Sequence, residues 1–206
     1  MKLLLDAPIN DLSFGNVSLN LIREFHKRDV DLGLFPIGGR VNLSAFTLDD
    51  DLKKYIEDSI NNRYSYLGED IPSLKLWHLD GSQDRKNPRQ YLYTFYECSE
   101  PTEVEVSIAN CQTKPIFSST YSRDNFKEKG CSKAGFAPLG FDEDFKPVEG
   151  KALEGVTHFG LMGKFEQRKH TARIIQAWLK KYGNDNKYQL TCCVTNPFFK
   201  PEVMQR

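Results

Sequence analysis

Two hydrophobic periods run through the chain, one of alternate residues and one of three to four, and they lay out an α/β order. Residues 2–8, KLLLDAP, form a strand-length apolar run interrupted by Asp6 and Pro8. A polar loop over 11–16, containing Gly15, leads to Leu19, Leu21, Ile22 and Phe25, whose spacing predicts a helix to about Arg28. Residues 31–36, DLGLFP, read as a second buried strand. After Gly38-Gly39, a helix over 48–64 places Leu52, Tyr55, Ile56 and Ile60 on one face, with Asp49–Asp51 in its first turn. Residues 73–79 and 89–97 read as strands separated by the polar loop DGSQDRKNPR. Residues 101–110 fit either a short helix opened by Pro101-Thr102 or a strand, through Val104, Val106 and Ile108. A strand over 115–118, a helix over 120–129 capped by Ser119 or Thr120 and stopped by Gly130, and a strand over 133–138 follow. A strand over 158–162, a helix carrying Ile174, Ile175, Trp178, Leu179 and Tyr182, and a strand over 188–195 broken by Asn196-Pro197 complete the order.

Strand, crossover helix and strand at the start are the opening of a Rossmann-like unit, since parallel neighbours need such a crossover. The expected fold is therefore α/β. Residues 1–146 form a Rossmann-like parallel sheet with strands near Leu3, Leu34, Leu76, Ile116 and Phe136. Residues 147–156, with Pro147, Gly150 and Gly155, form a linker, and 157–206 form an incomplete second Rossmann-like unit. The loop after the first strand lacks Gly-x-Gly-x-x-Gly, which argues against a nicotinamide or flavin dinucleotide.

Composition narrows the function classes without naming one. Lys plus Arg number 28 and Asp plus Glu number 28, so no global charge points to a nucleic-acid partner. A 39% hydrophobic fraction and 14 Phe suffice for a packed core. No apolar run reaches membrane-spanning length, so no transmembrane segment is expected, and the start reads as a strand in place of a signal peptide. The five cysteines are scattered, with neither a disulfide framework nor metal-ligand spacing. A reducing, cytoplasmic compartment is expected.

Candidate chemistry concentrates in 157–182, THFGLMGKFEQRKHTARIIQAWLKKY. The strand ending at Gly163, the loop holding Lys164, Arg168 and Lys169, and the following helix place three cations between a strand's carboxyl end and a helix's amino end. Unpaired N–H groups and the helix dipole favour a phosphate or diphosphate there. A solvated basic turn, with Arg168 paired to Glu166, is the alternative. Elsewhere, His78 stands at a strand end beside Asp80 and Asp84, or packs there half-buried; His158 is expected to pack within its strand.

Three pieces in order resemble the group 1 glycosyltransferases of two-Rossmann, GT-B architecture. Ser119-Thr-Tyr-Ser122-Arg123-Asp-Asn-Phe126, then Pro138-Leu-Gly140-Phe-Asp142-Glu-Asp-Phe145, is similar to that family's Ser-turn, short helix and Pro-x-Gly-x-Asp strand end ahead of its interdomain linker. Gly163-Lys-Phe-Glu-Gln-Arg168-Lys169 is similar to the element that opens the family's nucleotide-sugar-binding domain, and the linker lies between the two. The resemblance spans roughly residues 115–182 and is architectural before that.

The resemblance implies a donor that is a nucleotide-diphosphate sugar, an acceptor of unknown identity, no tightly bound cofactor and no metal. Fixed cations and helix N–H groups would then stabilise the departing diphosphate. Lys164, where the family has Arg, and Lys169 would meet the diphosphate, with Arg168 in support; Lys supplies a point charge and no fork. By the same resemblance Gly15 would let backbone approach donor or acceptor, Ser119 and Arg123 would face the ligand cleft, and His78 would be the catalytic residue near the reacting sugar. Gly15 as a plain loop glycine, Ser119 as a cap and Arg123 paired with Asp124 or Glu128 are the alternatives. No Glu-x7-Glu or Gly-Phe-Gly element follows Tyr188, so the second unit reads as C-terminally shortened. An exposed apolar surface around Phe159, Leu161, Leu190 and Val194 is expected, completed by a homo- or hetero-oligomeric partner. A glycosyltransferase is the leading reading. A non-catalytic glycosyltransferase-like subunit that binds a partner or a nucleotide is the second, and an unrelated Rossmann-like phosphate-binding protein is the third.

Overall fold

The computed structural model describes residues 1–68, 70–141, 146–147, 149–150 and 153–196. Asp142, Phe145 and Pro197, used in the sequence reading, lie outside these residues, as do parts of the expected linker. Contacts divide the chain into two compact units, Met1–Phe145 and Lys146–Arg206.

The first unit is an α/β domain around a six-stranded parallel sheet in the order β2-β1-β3-β4-β5-β6. The strands are β1 (Lys2–Ile9), β2 (Asp31–Val41), β3 (Ser73–Leu76), β4 (Gln90–Thr94), β5 (Lys114–Phe117) and β6 (Gly135–Phe136). The helices are α1 (Ser13–Lys27), α2 (Asp50–Asn61), α3 (Glu103–Cys111) and α4 (Thr120–Glu128). The Rossmann-like expectation is met, and the strand expected over 89–97 is β4, lying between β3 and β5.

Side-chain alternation assigns the layers. Leu3, Leu5, Ala7 and Ile9 of β1 pack with Leu19 and Ile22 of α1 and Leu52 and Ile56 of α2, so both helices cover one face. Leu92 of β4 and Phe117 of β5 pack with Val106 and Ala109 of α3 and Phe126 of α4 on the opposite face. Tyr66, in a 3-10 turn (Arg63–Tyr66), closes over Leu4 beside Ile71. Gly33 is required there, because a Cβ would come within 2.8 Å of the Tyr66 ring.

Several ends differ from the periodicity, each for a local reason. Helix α1 begins at Ser13, inside the expected loop. Asn10 Oδ1 accepts from the Leu12 N–H at 3.0 Å, and the Leu12 carbonyl accepts from Asn16 N–H at 2.9 Å, so the turn is closed by the chain itself. The segment read as either helix or strand is the helix α3, Glu103–Cys111, with Thr102 as its N-cap. Thr102 and Glu105 form a capping box, and Val104 is 69% exposed, which a buried strand would not allow. Between Ala7 and Ile9 the register against β2 jumps from Pro36 to Val41. Pro8 has no N–H for the ladder, and Gly38 and Gly39 take φ of 81° and 67°, so β2 bulges outward.

The second unit contains β7 (Thr157–Met162), a 3-10 turn (Gln167–Lys169), α5 (Thr171–Tyr182) and β8 (Tyr188–Cys193). The two strands pair in parallel, separately from the larger sheet. Phe159, Trp178, Tyr182 and Tyr188 form its aromatic centre, with Tyr182 and Tyr188 ring centroids 4.3 Å apart. Among the described residues of this unit, the fully buried side chains are the polar Thr171 and Asn196. Phe159, Leu161, Leu190 and Val194 are half-buried, so the apolar surface expected at these residues is partly present; Met162 and Leu179 expose 77% and 56%. His158 is exposed and not packed: it faces Thr191, with Nε2 2.6 Å from Oγ1, while the next strand residue, Phe159, turns to Trp178 and Tyr182 of α5. No helix among the described residues is long and apolar enough to cross a membrane.

Candidate functional site

In the first unit the chain runs from β1 outward to β2, then returns to β3 and proceeds the other way, so the topological switch lies between β1 and β3. In open α/β sheets the crevice at the carboxyl ends of the strands at this switch is the usual ligand position. His78 stands there. It is exposed, with its ring 4.7 Å from Phe14 of α1 and 5.2 Å from Trp77, both edge-on. Phe14 stacks on Phe95 at 4.3 Å, so an aromatic cluster floors the carboxyl end of the sheet. The Ser82 hydroxyl donates to the His78 carbonyl and holds the loop that carries it.

Gly15 is buried within α1 and not in a loop. A Cβ there would stand 2.0 Å from the Asn10 carbonyl oxygen, so its small size admits the chain's own backbone. Ser119 caps α4: its hydroxyl accepts from Ser122 N–H at 3.0 Å and donates to Ser122 Oγ at 2.8 Å. Arg123 is bidentate to Asp124 at 2.7 and 2.9 Å. Ser119 also lines a broad groove of about 1260 Å³ between α1 and residues 137–141, floored by Leu74, Tyr93 and Ile116.

One pair at the switch escaped the sequence reading. Asp6 and Lys75 face each other across β1 and β3 with Nζ and Oδ2 3.4 Å apart, their side chains 6% and 5% exposed. Lys75 Nζ also donates to the carbonyls of Gly81 at 2.9 Å and Asp84 at 3.0 Å, tying the loop after β3 to the sheet. Burial holds the Asp6 carboxyl above its ordinary value although Lys75 pulls it down. The signal was available: a single charge inside each of two apolar strands, of opposite sign.

In the second unit the expected cations occupy one loop. Gly163, at φ 129°, ends β7 where only glycine is comfortable, and Lys169 Nζ lies 3.4 Å from where its Cβ would be. Lys164 Nζ is 3.1 Å from Glu166 Oε1 and Arg168 Nε is 3.1 Å from Oε2. The second contact is a charge contact lacking hydrogen-bond alignment. The hydrogen bond from Lys164 lowers the Glu166 carboxyl below its ordinary value, aided by Arg168 and Lys169. Helix α5 starts at Thr171, preceded by His170 in the left-handed region with φ 53°, and has no side-chain cap. Lys169 is exposed beside this start. Among the described residues no cluster of three or more His, Cys, Asp or Glu could hold a metal ion.

No family model matches the chain, and no curated protein matches it.

Proposed function

We propose that the chain is a glycosyltransferase of the cytoplasm that takes a sugar from a nucleotide-diphosphate donor. The reading is carried by the loop Lys164–Lys169, a cationic turn between the carboxyl end of β7 and the uncapped amino end of α5. A diphosphate seated there meets N–H groups, the positive end of the helix dipole and ammonium or guanidinium groups. In the transfer, the bond between the anomeric carbon and the diphosphate oxygen breaks and leaves its electron pair on the diphosphate. The acceptor oxygen bonds to that carbon as its proton passes to a general base. Lys164, Arg168 and Lys169 stabilise the charge that develops on the leaving group.

Glu166 competes with the diphosphate for two of these cations. Glu166→Gln is expected to tighten binding of a nucleoside diphosphate, because it removes a competing negative charge beside Lys164 and Arg168. Lys169→Ala is expected to weaken it about tenfold, the loss of one charge-assisted hydrogen bond. Calorimetric titration with UDP, GDP and ADP measures both. Equal affinities in wild type and Lys169→Ala would remove Lys169 from the site, and no affinity for any of the three would remove the transferase reading. A thermal-shift screen with the same ligands is the first step, since ligand at a hundred times its dissociation constant stabilises by about 2.7 kcal/mol.

The second reading, a non-catalytic subunit that binds a partner, is favoured by the exposure of Met162 at 77% and Leu179 at 56% on the second unit. Light scattering over a concentration series separates the two, together with an assay for transfer or hydrolysis of UDP-glucose and GDP-mannose. A stable oligomer without turnover supports the subunit.

A further inference from the structure

A second depression opens at the same end of the sheet, on the face opposite α1. Its volume is about 290 Å³, and Asp6, Phe35, Lys75, Trp77, Asp84 and Lys86 are among its lining residues. The bulge of β2 forms one wall and the loop after β3 the other. Asp6 and Lys75 form its base, both more than nine-tenths buried. Lys75 spends its short hydrogen bonds on the Gly81 and Asp84 carbonyls at 2.9 and 3.0 Å, and reaches Asp6 at 3.4 Å. A carboxylate offers about four acceptor positions. That of Asp6 therefore lines the cavity with acceptor capacity to spare, while burial raises its carboxyl pKa. Lys86 Nζ is held 5.0 Å over the Phe35 ring, and Trp77 supplies an aromatic surface.

We infer that this depression is a subsite for a neutral, hydroxyl-rich ring, a single sugar residue. Two acidic and two basic residues line the space, so an ammonium ligand meets Lys75 and Lys86, and an anion meets Asp6 and Asp84. A sugar ring satisfies both signs. Its hydroxyls donate to Asp6 and accept from Lys86, and its C–H face lies on Trp77. The volume stands at the small end of ligand pockets, which run from about 300 to 1,000 Å³, so it takes one ring and excludes a nucleotide. The role of this ring as part of the acceptor rests on the transferase reading; the binding chemistry does not.

The test is direct titration of the full chain, without nucleotide, with D-glucose, D-galactose, D-mannose and N-acetyl-D-glucosamine. The chain has two tryptophans, so Trp178→Phe leaves Trp77 as the sole tryptophan reporter. Saturable binding of at least one of these sugars is expected, with a change in Trp77 emission. Asp6→Asn is expected to weaken it about tenfold or more. Should Asp6→Asn fail to fold, Lys86→Ala carries the test, because that side chain is only half-buried. No binding by any of the four sugars overturns the assignment, as does unchanged affinity in a folded Asp6→Asn or in Lys86→Ala. Saturation by n-butylammonium in place of the sugars also overturns it, in favour of a cation site. Nucleoside diphosphate titrated separately reads the loop of the second unit: its failure removes the transferase reading and leaves the sugar subsite standing.

Discussion

Phe126→Ala is expected to destabilise the first unit by about 3–5 kcal/mol, the cost of emptying a buried aromatic site. Phe126 and Phe117 are both wholly buried, stacked with centroids 4.4 Å apart, and Tyr96 meets Phe126 edge-on at 5.0 Å. These contacts join α4 to β5 and to the end of β4, so the cavity opens between a helix and the sheet. At about 2–4 °C per kcal/mol for a domain of this size, the midpoint should fall by roughly 6–20 °C. Thermal unfolding followed by circular dichroism measures it, and Phe126→Leu should lose much less. A loss below about 1 kcal/mol would show that the site collapses freely.

Lys75→Ala is expected to cost a comparable amount, about 3–5 kcal/mol at neutral pH, because it leaves Asp6 as an uncompensated buried carboxylate. It also strips two hydrogen bonds, to the Gly81 and Asp84 carbonyls, from the loop that carries His78. The pH dependence distinguishes the charge from the packing. The Asp6 carboxyl is raised in the folded chain, so its contribution to stability is fully present below the ordinary carboxyl value of 3.8 and is lost as pH rises through the folded value. Removing Lys75 raises that folded value further. The variant's deficit should therefore be largest at neutral pH and shrink as acid protonates Asp6. Denaturant unfolding of both proteins over that range is the measurement, and a deficit independent of pH would assign the loss to packing alone.

Where local chemistry decides an element, its character could be read directly. The run of apolar residues in β1, the stop at Gly130 and the Ser119 cap are set by residues within a turn of one another. Thr102 and Glu105 carried the answer for the segment read as either helix or strand: their capping-box spacing outweighs the alternation of Val104, Val106 and Ile108. Gly15 shows the limit. Its glycine character was visible, but the reason, the Asn10 carbonyl lying against the helix, depends on how the chain folds back upon itself. Lys164 and Arg168 were legible as loop cations, while their joint commitment to Glu166 is a matter of side-chain geometry. His78 was legible as the histidine at a strand end. Its setting among Phe14, Trp77 and Phe95 required α1, β3 and β4 to converge.

From the sequence by itself came the alternation of strands and helices, the parallel α/β class and the placing of the cationic loop between a strand and a helix. Periodicity and turn chemistry are local, and these features follow from them. Only the tertiary structure decided the strand order, hence the switch between β1 and β3 and the crevice it creates. It alone set Asp6 opposite Lys75, since hydrophobic periodicity says which side chains turn inward and nothing about which strand lies beside them. A lone charge in an apolar strand reads as an interruption until its partner is known; buried at 3.4 Å from an ammonium group, it becomes the base of a depression in the sheet's surface.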